Sequence, residues 1–469
     1  MPLDLSDIQA NVLRGYGAAF ARHFALALPT AAAGAALLGA LINGDGECPQ
    51  VSDAKVWSDK PSYCLNVGIT ADGLGALGVP AATVGAFPAA FRSGSAARSS
   101  LPTTGPDDVG LGDVGDSAPA AWILGGTASP TVHLLISLYT HHEKALETRS
   151  AQLRTVFGAT GVHELSSHDA VAQPGGTVHF GYRDGIAQPW IDGTPGQRLD
   201  DVQPSVPTGD FLLGSGYTNR YKGNFIGAIP RTLGDNGTYS AFRLLRQDVT
   251  GFEEFLAKAA ARWRQDPEVI AAKLMGRWRN GAPLALSPDG PNPTPPITEA
   301  QINAYDFVAT PEHPAFHDDD FGARCPIGAH TRRLNPRGAL VMGQPNSRRI
   351  IRRGMPYGPP FDPDHPDDVE RGLVGHFICG DIESQFEFIM KGWVNQDIQT
   401  AGLRGTRDPI LGAQPEHGGR FVISLGPNRD PMILDNLPRL VHTRGSLYLF
   451  LPGIGALRRL AAVTTEEAS

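Results

Sequence analysis

The hydrophobic positions in the first 180 residues follow helical spacing in some stretches and strand-like spacing in others. Apolar residues recur at helical intervals from Ile8 and an Ala-rich run follows, which predicts a helix over residues 5–42. Tyr63–Ile69 alternates as a strand does. Val132–Leu138 favours β-structure and precedes a predicted helix over His141–Phe157. This mixture of strands and helices predicts an α+β fold.

After a Gln-Pro-Gly-Gly break at 173–176, the second half again mixes predicted strands and helices. We place a domain boundary there, giving an N-terminal domain of residues 1–173 and a C-terminal domain of residues 174–469. Two α+β halves suggest a duplicated architecture, although no sequence repeat demonstrates it. The predicted elements of the second half are strand Val178–Tyr182, helices Phe252–Arg264 and Pro267–Trp278, a buried basic-ended strand at 348–352, an apolar segment Leu373–Cys379, helix Ser384–Trp393, and strands near Phe421–Leu425 and Ser446–Leu451.

Composition narrows the class of protein. Of the 469 residues, 41% are hydrophobic and 19% charged, which is typical of a globular chain. The net charge of −8 gives no basic footprint for nucleic acid or for an anionic membrane surface. The N-terminus has no signal-peptide pattern, and no apolar run is long enough to span a bilayer, so we expect a cytoplasmic protein and leave extracellular release open.

Two further patterns, the cysteine spacing and a glycine-rich stretch, indicate no additional site. The four cysteines have no CxxC or CxxCH spacing, which favours free thiols and excludes covalent attachment of haem through such a motif. The stretch from Gly110 to Gly115 matches GxGxxG literally. It lies in a region that reads as a surface loop over 93–118, with no strand before it and no helix after it. The dinucleotide-binding interpretation is therefore rejected.

The first candidate for chemistry is His330, in the run Cys325–Arg337. A lone histidine is most often structural or exposed. Here it shares eight residues with three arginines and an Asn-Pro turn. A neutral imidazole can bind haem iron while guanidinium groups pair with the propionates. The alternative is a solvated basic loop.

The second candidate is Asp184, in Gly181-Tyr-Arg-Asp-Gly185. An Asp-Gly pair is first of all a turn signal. In the functional interpretation, the carboxylate points into a pocket, and the glycines let the backbone approach a large flat ligand.

The third candidate is Arg352, in a run with Arg348, Arg349 and Arg353 around two isoleucines. A planar, permanently charged guanidinium can stabilise negative charge that develops during a reaction. For the other three arginines, surface charge or pairing with propionates is the preferred interpretation.

These segments together resemble the dye-decolourising peroxidases. The GxxDG motif of that family stands here as residues 181–185, its proximal-histidine block as Cys325–Arg337, and its distal-arginine block as Ile350–Gly358. The similarity runs from end to end, is densest over 178–452, and is closest to the longer-loop subgroups. Other similar stretches are Asp4–Gln9, Gly234–Tyr239, Phe242–Asp248, Ala272–Trp278, Gln385–Phe388 and Thr443–Pro452.

The resemblance implies two ferredoxin-like domains, with non-covalent haem b bound mainly by the C-terminal one. It implies His330 as the axial iron ligand, Asp184 as the distal acid–base residue and Arg352 as the distal arginine. It implies hydrogen peroxide and aromatic reducing substrates as partners, with dyes and phenolic compounds oxidised by one-electron steps. Further cofactor contacts are expected at Gly185, Ile186, Arg332, Arg337 and Phe377.

Several points stay open at the level of sequence. A ligating histidine usually needs a carboxylate or carbonyl on its other nitrogen; Asp397 is our candidate, with Asp381 and Glu387 as rivals. The alternative functions are a haem-binding or haem-delivery protein and a haem-processing enzyme on the same fold. The Asp184–Arg352 pair argues against a mere carrier, since binding needs only His330. The oligomeric state is open, with a homodimer as one candidate.

Overall fold

The computed structural model describes residues 3–44, 48–103, 108–196, 198, 202–214, 216–221, 229–309, 318–339, 345–398 and 403–462. The strands within these ranges are β1 Phe20–Ala27, β2 Tyr63–Ile69, β3 Leu134–Thr140, β4 His163–Val171, β5 Thr238–Gln247, β6 Ile351–Tyr357, β7 Gly372–Cys379, β8 Gly419–Ile423, β9 Met432–Leu437 and β10 Val441–Leu451.

The α-helices are α1 Ala10–Leu13, α2 Ala31–Asn43, α3 Ala71–Ala76, α4 Ala81–Gly85, α5 Ala89–Ser99, α6 Glu143–Thr160, α7 Arg231–Gly234, α8 Val249–Trp263, α9 Pro267–Met275, α10 His330–Leu334 and α11 Ile454–Ala462. Two wider, π-helical segments follow β7, at Ile382–Glu387 and Ile389–Val394.

Eight strands form one antiparallel sheet in the order β4-β1-β3-β2-β10-β5-β7-β6. The first four strands are ordered fourth, first, third, second, and the strands β5, β6, β7 and β10 repeat that order. With the helices between them, both halves are ferredoxin-like, which confirms the α+β fold class. The predicted boundary after residue 173 falls between β4 and β5 and stays a prediction.

The two edge strands, β4 and β6, lie close together, so the sheet curves round on itself. A row of buried, hydrogen-bonded polar side chains crosses the interior of the curved sheet. The Ser137 hydroxyl lies 2.8 Å from Nδ1 of His23 and 2.9 Å from Nε2 of His376, whose Nδ1 contacts Ser240 at 3.0 Å. Burial lowers the pKa of His376 to about 3, so this histidine stays neutral.

The predicted helix over residues 5–42 is wrong in its middle. Residues 20–27 form β1, which pairs with β3 on one side and β4 on the other. Because the strand is buried on both faces, it lacks the alternation that marks a half-exposed strand, and its alanines imitate a helix. Pairing with two neighbours overrides the local helical preference.

Of the other predicted elements, some are confirmed and some are wrong. Strand Tyr63–Ile69 is confirmed with the predicted ends, and helix α6 starts two residues later than predicted. Residues 178–182 are not a strand; only an isolated bridge joins Thr177 to Arg183. The expected surface loop over 93–118 contains the end of α5, and its described part also includes buried residues such as Leu111.

Three further findings bear on the sequence analysis. All four cysteines are buried. None of the helices in the described ranges combines the length and apolar character needed to cross a bilayer. Asn236 opens an Asn-Gly-Thr run that matches the N-glycosylation pattern. Its side-chain amide donates to Asp7 at 2.7 Å and accepts from the Tyr217 hydroxyl at 2.6 Å, so it takes part in the fold.

Candidate active site

A cavity lies against strands β5, β6, β7 and β10. It is on the opposite face of these strands from the buried hydrogen bonds of His376 with Ser137 and Ser240. Residues of several strands line it, among them Arg243 and Leu245 of β5, Phe377 of β7 and Arg352 of β6. Since successive side chains of a strand point to opposite faces, the ring of Phe242 packs against that of His376 in the sheet interior, although His376 also borders the cavity. The opposite wall is formed by α10, the end of α9 and the loop that carries Asp184.

His330 is the first residue of the short helix α10 and lines this cavity. Its Nδ1 donates to the carboxylate of Asp408, 2.9 and 3.0 Å from the two oxygens. Asp408 is fully buried and also accepts from the backbone N–H of Ile410 and Leu411. Burial alone would raise the pKa of Asp408, but His330 and the Leu411 N–H outweigh it and hold the pKa below its usual value.

The proposed partner of His330 was therefore wrong. Asp397 instead accepts from the Gly405 N–H at 2.8 Å, and Asp381 caps the following helical segment through Ser384. Glu387 forms ion pairs with Arg98 and Lys391. Asp408 lies 78 residues beyond His330 in an irregular loop, a position that no sequence spacing marks.

Asp184 lines the same cavity from a loop whose backbone is fixed at its start. The Asp184 N–H donates to the Gly176 carbonyl at 3.0 Å, and the preceding Arg183 N–H donates to the Arg279 carbonyl at 2.9 Å. The Asp184 side chain is 39% exposed, so its carboxylate reaches both the cavity and solvent.

Arg352 lines the cavity from β6, and its Nη2 lies 3.7 Å from Oδ1 of Asp184. This distance is too long for a direct hydrogen bond, which leaves the two groups facing each other across a gap. Arg353 points the other way and donates to the carbonyl oxygens of Asn11 and Val12. Strand alternation thus brings Arg352, and not Arg353, to Asp184. Phe377 is the cross-strand neighbour of Arg352 and also lines the cavity.

Of the two arginines predicted near His330 as cofactor contacts, one lines the cavity and the other does not. Arg332 does not line the cavity: its guanidinium pairs with Asp319 at 2.8 Å, and its expected cofactor contact is not supported. Two residues apart on a helix, the side chains of His330 and Arg332 point in nearly opposite directions. Arg337 does line the cavity, while its guanidinium donates to the Asn303 and Tyr305 carbonyl oxygens.

Ile186 lines the cavity beside Asp184, whereas Gly185 itself does not. Gly185 has φ +78°, a conformation that other residues rarely adopt, so its requirement is a backbone one. Gly181 has the same backbone requirement, with φ +82°, and a Cβ there would also come within 2.7 Å of the Arg279 side chain.

The rejected GxGxxG segment has a different role in the structure. It opens no α-helix, only the short 3-10 turn Gly115–Ser117, yet Leu111, Gly112 and Asp113 line the cavity from the first half of the chain. Asp113 forms a buried ion pair with Arg243 of β5, at 2.6 Å. Sequence reasoning missed this contact between the two halves.

The side chains around the cavity suit a haem. Nδ1 of His330 is held by Asp408, and within the described residues its Nε2 has no hydrogen-bond partner, as an iron ligand requires. Apolar side chains such as Met275, Ile389 and Leu411 provide walls for a flat macrocycle. The excess of cations over carboxylates suits propionates. The charged lining residues are Arg183, Arg243, Arg277, Arg337, Arg348, Arg349, Arg352, Arg439, Asp113 and Asp184.

Comparisons with known proteins find relatives of one kind. The chain is 27% identical over 490 residues to the dye-decolorizing peroxidase msp1 of Mycetinis scorodonius, and 29% identical over 479 residues to a dye-decolorizing peroxidase of Exidia glandulosa. Each match covers 98% of this chain and 88% of the relative. Over nearly its whole length, the chain is similar to dye-decolourising peroxidases. A crystal structure of the decolorizing peroxidase of Auricularia auricula-judae matches with a TM-score of 0.78 at 25% identity, over 98% of this chain and 100% of the other.

No family model matches the chain. Since its relatives and structural neighbours are dye-decolorizing peroxidases, the chain is an oxidoreductase that uses peroxide. The family fold accounts for the repeated strand order of its two halves. Its placement in the longer-loop subgroup stays a prediction.

Proposed function

We propose that this protein is a haem b peroxidase that reduces hydrogen peroxide and oxidises dyes and phenolic compounds by one-electron steps. The observation that carries the proposal is one cavity with two chemically different sides. On one side, a histidine has its second nitrogen held by a buried carboxylate. On the other side, a carboxylate and a guanidinium face each other at 3.7 Å.

His330 would hold the iron through Nε2, and Asp408 would fix the ring and make it a stronger donor. Arg337, Arg348 and Arg349 line the same cavity and would neutralise the propionates. When bound, haem supplies the iron that binds peroxide and stores the two oxidising equivalents.

The residues on the other side handle protons and charge. Asp184 takes the proton that peroxide must lose on binding and returns one to the departing oxygen. Arg352 stabilises the negative charge on that oxygen as the O–O bond breaks. Peroxide thus gains two electrons and two protons to become two waters, and two aromatic molecules each lose one electron.

The test is to purify the protein with haem and add peroxide together with an anthraquinone dye. We expect a Soret band and a loss of dye colour that depends on peroxide. A protein that binds haem and leaves the dye unchanged would instead be a haem carrier. The Asp184–Arg352 pair favours the enzyme, because a carrier has no use for a proton shuttle.

A further inference from the structure

The loop that carries Asp184 is fixed to the fold at two places. Its start is held by the hydrogen bond from the Asp184 N–H to the Gly176 carbonyl. Across the next three residues, 185–187, no backbone hydrogen bond to another described residue is found. The next attachment after Asp184 is therefore Gln188, four residues further on.

Gln188 attaches the loop to one particular residue, Arg352. Its Nε2 donates to the Arg352 carbonyl at 2.9 Å, and its Oε1 accepts from the Arg352 N–H at 3.2 Å. Strand β6 lies at the edge of the sheet, with β7 on its other side. The Gln188 amide therefore takes the place of a neighbouring strand at a single position.

The gap between Asp184 and Arg352 is not fixed by their own side chains. The Asp184 and Arg352 side chains are 39% and 35% exposed and lie 3.7 Å apart, so no direct hydrogen bond fixes their separation. We infer that Gln188 is a positioning residue that sets the distance between Asp184 and Arg352 by tying both to one backbone frame. The inference rests on the proposed function of that pair.

The same chain offers a matched control. Gln9 accepts from the Val67 N–H at 2.9 Å and donates to the Val67 carbonyl at 2.9 Å, so it makes the same two-bond attachment. Gln9 packs against β2 and does not line the cavity. Loss of this attachment should affect stability without affecting the cavity.

Cyanide is a suitable probe of the haem-loaded protein, because hydrogen cyanide must lose a proton on binding and becomes an anion near Arg352, as peroxide does. We compare Gln188→Met and Gln188→Ala with Gln9→Met. The Gln188 variants should bind cyanide at least roughly tenfold more weakly, in the range expected for small misplacements of a reacting group. Gln9→Met should bind cyanide as the parent protein does.

Two further measurements separate positioning from mere stability. In the haem-free protein, Gln188→Met should speed hydrogen exchange of the Arg352 amide, and Gln9→Met should not. In an Asp184→Asn background, the effect of Gln188→Met on cyanide binding should vanish, since Asp184 and Arg352 then no longer act as a pair.

The outcomes are decisive. Unchanged cyanide affinity in both Gln188 variants would overturn the inference and leave the proposed function intact. Failure of these variants to fold or to retain haem would also overturn it, in favour of a purely structural role. A parent protein that binds neither haem nor cyanide would overturn the proposed function and this inference together.

Discussion

The two sides of the cavity differ in how firmly they are held. On the His330 side, the partner carboxylate of Asp408 is fully buried and accepts hydrogen bonds from the imidazole and from two backbone N–H groups. On the other side, Asp184 and Arg352 are both more than one-third exposed and form only a long ion pair of 3.7 Å, with no direct hydrogen bond. Within the described part of the chain, the amide of Gln188 links the loop that carries Asp184 to the backbone of Arg352.

This difference matches the two tasks. A metal ligand must keep one nitrogen aimed at one point, which a buried and fully hydrogen-bonded partner provides. A group that passes a proton between two oxygens must be able to move and to meet water. The comparison therefore predicts that substitutions on the His330 side change haem binding, while those on the Asp184 side change the reaction with peroxide.

The largest effect is expected for His330→Ala. Loss of the ligand itself should weaken haem binding by more than the ~10–100-fold that loss of a ligand's partner usually costs. Titration of the haem-free protein with haem, followed by the Soret band, measures this. His365→Ala, which removes an exposed histidine, is the control. Full haem binding by the His330 variant would contradict the assignment of His330 as the iron ligand.

Next in size is Arg352→Leu. Removing a group that stabilises developing charge should slow the reaction with peroxide by roughly 100–1,000-fold, with haem binding little changed. Stopped-flow absorbance measures the rate. Arg183→Leu removes another arginine from the same cavity, one that is paired with Glu299. Equal slowing in both variants would point to the overall charge of the cavity rather than to the position of Arg352.

A smaller effect is expected for Asp408→Asn, which keeps the shape and removes the charge behind His330. Haem affinity should fall by roughly 10–100-fold. Asp397→Asn, at the exposed carboxylate that sequence reasoning favoured, should bind haem normally. If Asp397→Asn weakened binding and Asp408→Asn did not, the assignment of the two carboxylates would have to be reversed.

The smallest effect concerns the loss of stability in acid that arises from the buried His376. A histidine in the unfolded chain titrates near pH 6.5, and burial lowers the pKa of His376 to about 3 in the folded protein. Stability is therefore fully present above pH ~6.5 and declines as the pH falls toward 3, because the unfolded chain binds the extra proton.

At pH 5 this loss from His376 amounts to about 2 kcal/mol, at ~1.4 kcal/mol for each pH unit. His376→Gln removes the titrating group. Its melting temperature should fall less between pH 7 and pH 5 than that of the parent protein. An equal fall in both proteins would show that the acid sensitivity arises elsewhere.

Much of this site could be predicted from sequence, because its residues lie in short blocks with recognisable neighbours. His330, Asp184 and Arg352 each carry such a block, and the structure brings all three to one cavity. The prediction failed at Asp408 and Arg332, where the outcome depends on tertiary contacts or on the direction of a side chain from its helix. It failed in the same way at β1, where pairing on both sides hides the strand pattern.

The central claim is that this cavity reacts with peroxide and does not merely hold haem. The most direct measurement is the stopped-flow spectrum of the haem-loaded protein after one equivalent of hydrogen peroxide. The account predicts a rapid change of the Soret band, which reverses when a reducing aromatic compound is added. A Soret band that stays unchanged after peroxide would contradict the account and indicate a haem carrier.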